Sequence, residues 1–266
     1  ASIGWCGYPL DKRIFPWNHA NCGDLNLSGE RRPQSYLRET LWSDAPVSHI
    51  VVTPPVPSFP LNPDKADWSV WDFPDVVDHW NFPGYEGKKM TVSVYSNCEQ
   101  VELFLNGESL GKQENTADKK NTLVWEVPYA HGILKAVSYN KGGEVGTATL
   151  ESAGKVEKIR LSADRTEIVA DGNDLSYITL ELVDSKGIRN QLAEELVEFS
   201  IEGDATIEGV GNANPMSIES FVANSRKTWR GSNLLVVRSG KSSGRIIVTA
   251  KVKALPVASI TITQKK

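Results

Sequence analysis

Most of this chain alternates apolar and polar residues in short runs that end at glycine or asparagine turns. In 91–95 and 101–105 the apolar side chains fall at every second position, and Asn106-Gly107 follows the second run. Successive side chains of a β-strand point to opposite faces, so this alternation predicts strands with one buried face. Asn-Gly tolerates the positive φ angles of a two-residue hairpin turn. The chain is therefore predicted to be mainly β, with antiparallel strands.

The strand-like runs continue to the C-terminus and separate into two groups. The first group lies in 47–154, with 133–139 as one of its runs, and the second lies in 155–266, with 178–182 as one of its runs. Short strands at this spacing, with turn residues between them, indicate β-sandwiches. We therefore expect two immunoglobulin-like antiparallel β-sandwiches. The last run, 260–263, is either a final strand or part of a linker.

The first 46 residues differ from the rest in composition. Six of the eight tryptophans lie in the first 80 residues, and a helix is predicted around 32–43. Pro33 suits the first helical turn, where its missing N–H costs nothing, and Leu37 and Leu41 share one face. A loop and one helix are too small to bury a core of their own. The segment is therefore expected to dock on other structure.

Charge and cysteine content exclude several classes of protein. A formal net charge of −4 argues against a nucleic-acid-binding protein, which needs a dense cationic face. The sequence has no apolar run that is long enough for a membrane span, and its first residues do not resemble a signal peptide. Three cysteines are too few for a disulfide framework; the odd count favours free thiols, although a Cys6–Cys22 pair stays open. The histidines are isolated and no CxxC spacing occurs, so no metal site and no cofactor are predicted.

Two segments near the N-terminus resemble a known enzyme family. The sequence GDLNLSG at 23–29 is followed by PQSY at 33–36 and by Leu41-Trp42. Together they are similar to the end of the catalytic barrel of glycoside hydrolase family 2, where a short turn precedes the final barrel helix. The resemblance implies that 1–46 is the remnant of a TIM barrel, comprising its last loop and its last helix.

The resemblance extends over nearly the whole chain. The sequence DHWNFPG at 78–84 and VELFLNG at 101–107 resemble the sandwich that follows the barrel in Bacteroides-type β-galactosidases of this family. The sequence GVGNANP at 209–215, with RKTW at 226–229, resembles a further C-terminal domain of the same enzymes. The implied sandwich domains are 47–154 and 155–266.

The resemblance implies a function for the parent protein rather than for this chain. Family 2 enzymes are retaining hydrolases whose two catalytic glutamates lie on earlier barrel strands, with carboxyl groups about 5 Å apart. The chain is expected to begin after both, so no residue is assigned a catalytic role. We expect a non-catalytic accessory part of a β-galactosidase, with β-glucuronides or β-mannosides as alternative substrates. Its partners would be the missing barrel and, in the intact enzyme, carbohydrate. A periplasmic or secreted location is implied.

An aromatic-rich segment supplies the candidate carbohydrate-binding residues, Trp68, Trp71 and Trp80. Flat aromatic faces stack on sugar rings, whereas the competing interpretation is that these rings pack the segment onto the protein. Two other functions stay open. One is a carbohydrate-binding module. The other is a bacterial surface adhesin, because 159–184 resembles the immunoglobulin-like repeats of invasin-type proteins.

Overall fold

The computed structural model describes residue 16 and residues 23–58 and 74–266. The chain divides into two compact units, Ala1–Ser152 and Ala153–Lys266. The described part of the first unit contains one α-helix, a short 3-10 helix (Ala117–Lys119) and seven strands: α1 (Ser35–Trp42), β1 (Ser48–Val52), β2 (Lys89–Ser96), β3 (Gln100–Leu105), β4 (Glu108–Glu114), β5 (Thr122–Pro128), β6 (Ile133–Asn140) and β7 (Gly143–Glu151).

The seven strands of the first unit form two antiparallel sheets. One has the order β1-β2-β5 and the other has the order β4-β3-β6-β7. Alternate residues of both sheets point inward and meet in one core, which includes Val92, Leu103, Leu123, Trp125 and Leu134. The predicted hairpin is confirmed, because Leu105 pairs with Glu108 across a turn in which Asn106 has φ 52° and Gly107 has φ 88°.

The second unit is a sandwich with nine strands. They are β8 (Lys158–Ala163), β9 (Glu167–Val169), β10 (Leu175–Val183), β11 (Leu196–Glu202), β12 (Ala205–Gly211), β13 (Ser225–Lys227), β14 (Ser232–Ser239), β15 (Gly244–Val252) and β16 (Ala258–Lys265). The sheets have the orders β12-β14-β10-β8 and β13-β11-β15-β16-β9. All pairs are antiparallel except β16 with β9. Residues 260–263 therefore belong to a strand.

The mainly β fold and the sandwich architecture are thus confirmed. The helix is also present, but it begins at Ser35 rather than near Arg32. The N–H of Ser35 donates to the Arg32 carbonyl at 2.9 Å, and the N–H of Tyr36 donates to that of Pro33 at 3.3 Å. These bonds span three residues, so Pro33 lies in a tight turn ahead of the α-helix.

Candidate functional site

Of the three tryptophans that were predicted to bind carbohydrate, Trp80 lies in the core of the first sandwich. Its exposed fraction is 0%. The ring makes edge contacts with Tyr129, at a centroid distance of 4.9 Å, and with Phe82, at 5.9 Å. Its indole N–H donates to the Ala130 carbonyl at 2.8 Å. Both the faces and the polar edge of the ring are therefore occupied, which corrects the expectation that Trp80 contacts sugar. Trp68 and Trp71 lie outside the described residues.

The segment around Trp80 is fixed to the sandwich by further hydrogen bonds. The backbone N–H of Phe82 donates to the Tyr129 hydroxyl at 3.1 Å, and the Ser152 hydroxyl donates to the Trp80 carbonyl. Val77 exchanges two backbone hydrogen bonds with Val52, at 2.8 and 2.9 Å. Trp80 and Phe82 therefore act as packing groups.

Helix α1 packs against the three-stranded sheet of the same unit. Tyr36 and Leu37 contact a small apolar cluster formed by Val51, Val76 and Tyr95. This cluster is separate from the main core of the sandwich. The expectation that the N-terminal helix must dock is met within the first unit itself.

Two asparagines hold the C-terminal end of α1. The Asn97 side-chain amide donates to the carbonyls of Ser43, at 3.0 Å, and Ala45, at 2.9 Å, and its oxygen accepts the Val47 N–H at 2.7 Å. The carbonyls that Asn97 binds belong to the residues that directly follow the helix. The last carbonyls of a helix have no partner within the helix. Asn121 satisfies one of them, because its amide donates to the Thr40 carbonyl at 3.4 Å and to the Thr40 hydroxyl at 3.1 Å.

A stack of three side chains covers the N-terminal half of α1. The Tyr36 and His49 rings lie nearly parallel, with centroids 3.5 Å apart, and the Arg31 guanidinium lies 3.9 Å from the Tyr36 centroid. Burial lowers the pKa of His49 from 6.5 to about 4. Among the smaller influences contained in this value, Asp78 and Glu39 raise the pKa and Arg31 lowers it. His49 is therefore neutral at pH 7.

The end of α1 leaves two large apolar side chains in solvent. Leu41 is 65% exposed and Trp42 is 86% exposed. Both lie in the last turn of the helix, whereas the packed residues Tyr36 and Leu37 lie near its start. We call Leu41 and Trp42 the helix-end face. The sequence predicted one apolar face for Leu37 and Leu41, but in the structure Leu37 is packed and Leu41 is largely exposed.

Asp184 is the one buried acidic residue among the described residues. Its oxygens accept the backbone N–H groups of Gly154, at 2.8 Å, Ile188, at 2.9 Å, and Lys186, at 3.0 Å. These bonds lower the pKa of Asp184 against the effect of desolvation, which is the largest single influence on it. The carboxylate is thus part of a turn.

Metal sites, membrane-spanning helices and free cysteines can also be assessed for the described residues. Within them, no group of three or more His, Cys, Asp or Glu side chains is placed to hold a metal ion. The same part of the chain has no helix with the length and apolarity that a membrane span needs. Cys98 is buried and free, whereas Cys6 and Cys22 lie outside the described residues.

The fold defines this chain as a tandem β-sandwich region with a docked helix. Residues 159–261 match the family described as glycoside hydrolase family 2 C-terminal domain 5. Residues 87–146 match a domain of unknown function (DUF4982). The chain is homologous to the C-terminal region of family 2 glycoside hydrolases.

Curated relatives include galactosidases and glucuronidases. The chain is 30% identical over 253 residues to the β-galactosidase BoGH2A of Bacteroides ovatus. The aligned region covers 95% of this chain and 26% of that protein. It is also 30% identical over 205 residues to a β-glucuronidase of Formosa agariphila, covering 74% of this chain and 20% of that protein. The chain thus spans about a quarter of the length of the first of these relatives.

Solved structures show the same arrangement of strands. A family 2 glycosyl hydrolase from Bacteroides cellulosilyticus is 95% identical, with a TM-score of 0.87, and the match covers 92% of this chain and 32% of that protein. A β-glycosidase from Bacteroides vulgatus is 25% identical, with a TM-score of 0.82, and the match covers 99% of this chain and 30% of that protein. We call the first of these the B. cellulosilyticus hydrolase.

Proposed function

We propose that this chain is the non-catalytic accessory region of a family 2 glycoside hydrolase, and that the helix-end face joins it to the catalytic part. The observation that carries the proposal is Trp42, which is 86% exposed at the C-terminal end of a helix that packs on the first sandwich through Tyr36 and Leu37. Tryptophan is enriched in the cores of protein interfaces, which supports a contact at this ring.

The docking of α1 supports this division of roles. Asn97 and the stack of Tyr36 on His49 hold the helix on the first sandwich. Leu41 and Trp42 are left for a second contact. The helix resembles the last helix of a family 2 barrel, and the relatives continue well beyond the matched region. A helix that is shared between barrel and sandwich would transmit the rigidity of one to the other.

The reaction of the intact protein is part of the same proposal. It is the retaining hydrolysis of a β-glycoside. The similarity to the β-galactosidase of B. ovatus supports a galactoside as the substrate. The two catalytic glutamates would lie in the barrel, outside this chain. Carbohydrate would bind to the intact enzyme, in the periplasm or the medium. The β-glucuronidase of F. agariphila makes a glucuronide the alternative substrate.

Two experiments test the proposal. The purified chain should show no turnover of nitrophenyl β-galactoside or nitrophenyl β-glucuronide, and turnover that survives purification would refute the accessory role. For the docking surface, Trp42→Cys is introduced into the chain and into the matching position of the B. cellulosilyticus hydrolase, with the accessible native cysteines replaced by serine. A maleimide should label the full-length protein at least about tenfold more slowly than the chain. Equal rates would remove α1 from the interface.

The carbohydrate-binding alternative has lost one of its three residues, because Trp80 is enclosed in the core. Affinity electrophoresis on galactan, with Trp71→Ala as the comparison, tests what remains of it. Retardation of the chain that Trp71→Ala abolishes would favour a binding module over a purely structural role.

A further inference from the structure

A buried arginine organises the long loop of the second unit, which connects β12 to β13. The Arg226 side chain has an exposed fraction of 0%. Its Nη1 donates to the carbonyls of Val210, at 3.2 Å, and Glu219, at 3.1 Å. Its Nη2 donates to the Ser217 hydroxyl at 2.9 Å, and its guanidinium lies 4.2 Å from the centroid of the Phe221 ring. One side chain therefore fixes three points of the loop.

Further hydrogen bonds and one left-handed residue define the conformation of the rest of the loop. The Glu219 carboxylate accepts the Lys227 N–H at 3.0 Å, and the Asn212 amide donates to the Lys227 carbonyl at 2.9 Å. Ala213 has φ 60°, in the left-handed region that residues other than glycine seldom adopt. Left-handed backbone at a non-glycine residue persists when the surroundings hold it in place.

This framework presents three apolar side chains to solvent. Ile218 is 76% exposed, Phe221 is 50% exposed and Val222 is 86% exposed. We call these three residues the apolar loop face. None of them belongs to the hydrophobic core of the second unit. When the unit folds, Ile218 and Val222 therefore stay largely in solvent and about half of Phe221 remains exposed.

We propose that the apolar loop face is a second contact surface for the catalytic part of the same family 2 hydrolase. This inference rests on the proposed function, because it takes the catalytic part to be present in the same polypeptide. Enclosing a guanidinium costs desolvation energy, which the hydrogen bonds of Arg226 to Val210, Glu219 and Ser217 offset. A buried arginine that fixes an exposed loop is explained if the loop must keep one conformation in order to bind a partner.

Two observations support the catalytic part of the same polypeptide as that partner. The loop lies inside 159–261, the part that matches a family 2 C-terminal domain. The solved relatives continue far beyond the match, since it covers 32% of the B. cellulosilyticus hydrolase and 30% of the B. vulgatus β-glycosidase. A covalently linked domain is present at high effective concentration, so a small apolar face is enough for a permanent contact. Permanent interfaces are also the more apolar ones.

Cysteine labelling tests the contact directly. Val222→Cys is placed in this chain and at the matching position of the B. cellulosilyticus hydrolase, with the accessible native cysteines replaced by serine. Val257→Cys is the matched control, because Val257 is also an exposed valine of the second unit, at 57%. We expect labelling at Val222 to be at least about tenfold slower in the full-length protein, and labelling at Val257 to be alike in both.

The possible outcomes separate this proposal from the proposed function. Protection at Trp42 with no protection at Val222 overturns the loop contact and leaves the docking of α1 intact. Protection at Val222 alone supports the loop contact and removes the helix-end face. A second copy of the chain is the competing occupant. If the chain sediments as a dimer that Val222→Asp converts to a monomer, the face is a self-association surface and the proposal is wrong.

Discussion

Tyr36 of α1 and His49 of β1 lie face to face, with ring centroids 3.5 Å apart and an interplanar angle of 15°. Arg31 lies over the same tyrosine ring at 3.9 Å. Because His49 faces the ring on one side, the guanidinium must occupy the other. The helix is thus joined to the sandwich by a cation, an aromatic ring and a neutral imidazole, and the neutrality of the imidazole depends on pH.

The first prediction concerns this dependence on pH. His49 has a pKa of about 4 in the folded chain, below the ordinary value of 6.5. Between these values the unfolded chain binds the extra proton, so the stabilisation is complete above pH 6.5 and is lost as the pH falls towards 4. The free energy of unfolding should decrease by up to about 1.4 kcal/mol per pH unit in this window.

Urea unfolding at pH 7.5 and pH 4.5 provides the measurement. Carboxylates also titrate near the lower pH, so the comparison variant is His49→Phe, which keeps a ring on Tyr36 but does not titrate. The parent chain should lose more stability than the variant between the two pH values. Equal losses in both proteins would show that His49 does not control the stability of the junction.

The second prediction concerns the asparagine that holds the end of α1. Asn97→Ala removes three hydrogen bonds to the backbone, two of them to carbonyls near the helix terminus, and a weak one from the Cys98 thiol. At about 1 kcal/mol for each bond, the variant should lose about 2–3 kcal/mol of stability. Hydrogen exchange of the α1 amides should accelerate. Asn173→Ala, at an exposed turn position, is the control and should change stability by less than about 0.5 kcal/mol.

The third prediction separates the two structural roles of tryptophan in the first unit. Trp80→Ala opens a cavity in the core and leaves the Ala130 carbonyl without its donor, so it should cost about 3–5 kcal/mol. Trp42→Ala removes a ring that is 86% exposed, and the stability of the isolated chain should change by less than about 0.5 kcal/mol. Chemical denaturation of both variants is the measurement. Similar losses would contradict the burial of Trp80.

The fourth prediction concerns Arg226. Arg226→Lys keeps the charge, but an ammonium group cannot reproduce the planar fork that reaches Val210, Ser217 and Glu219. Limited proteolysis within 213–224 should become about tenfold faster, which corresponds to about 1.4 kcal/mol of lost local stability. Arg245→Lys, on an exposed part of β15, is the control. If cleavage of the loop is unchanged, Arg226 does not hold it.

Much of the fold could be predicted because it depends on local periodicity. The alternation of apolar and polar residues in β3 and β6 predicts strands, because successive side chains of a strand point to opposite faces. Asn106-Gly107 predicts the hairpin turn, because both residues tolerate the positive φ angles that the turn requires. The site was harder to predict. Trp80 was grouped with Trp68 and Trp71 because tryptophans are close in sequence there, yet sequence proximity does not report which ring the core encloses.

Other residues gave no usable signal in the sequence. Asn97 and Asn121 look like ordinary turn residues, and only the folded chain places their amides at the end of α1. Arg226 lies in the recognised RKTW motif at 226–229, but arginine is usually a surface residue. Its burial follows from a loop that folds back over it, which composition does not reveal.

The sequence by itself determined the β-sandwich class, the positions of most turns, the presence of one helix and the resemblance to family 2 hydrolases. These features depend on the pattern of neighbouring residues or on the similarity of sequence motifs, and both are visible in the linear sequence. Only the tertiary structure decided that Trp80 is enclosed, that Arg226 is buried and that Trp42 and Val222 are exposed. Burial depends on residues that are distant in sequence, and these meet only when the sheets close on each other.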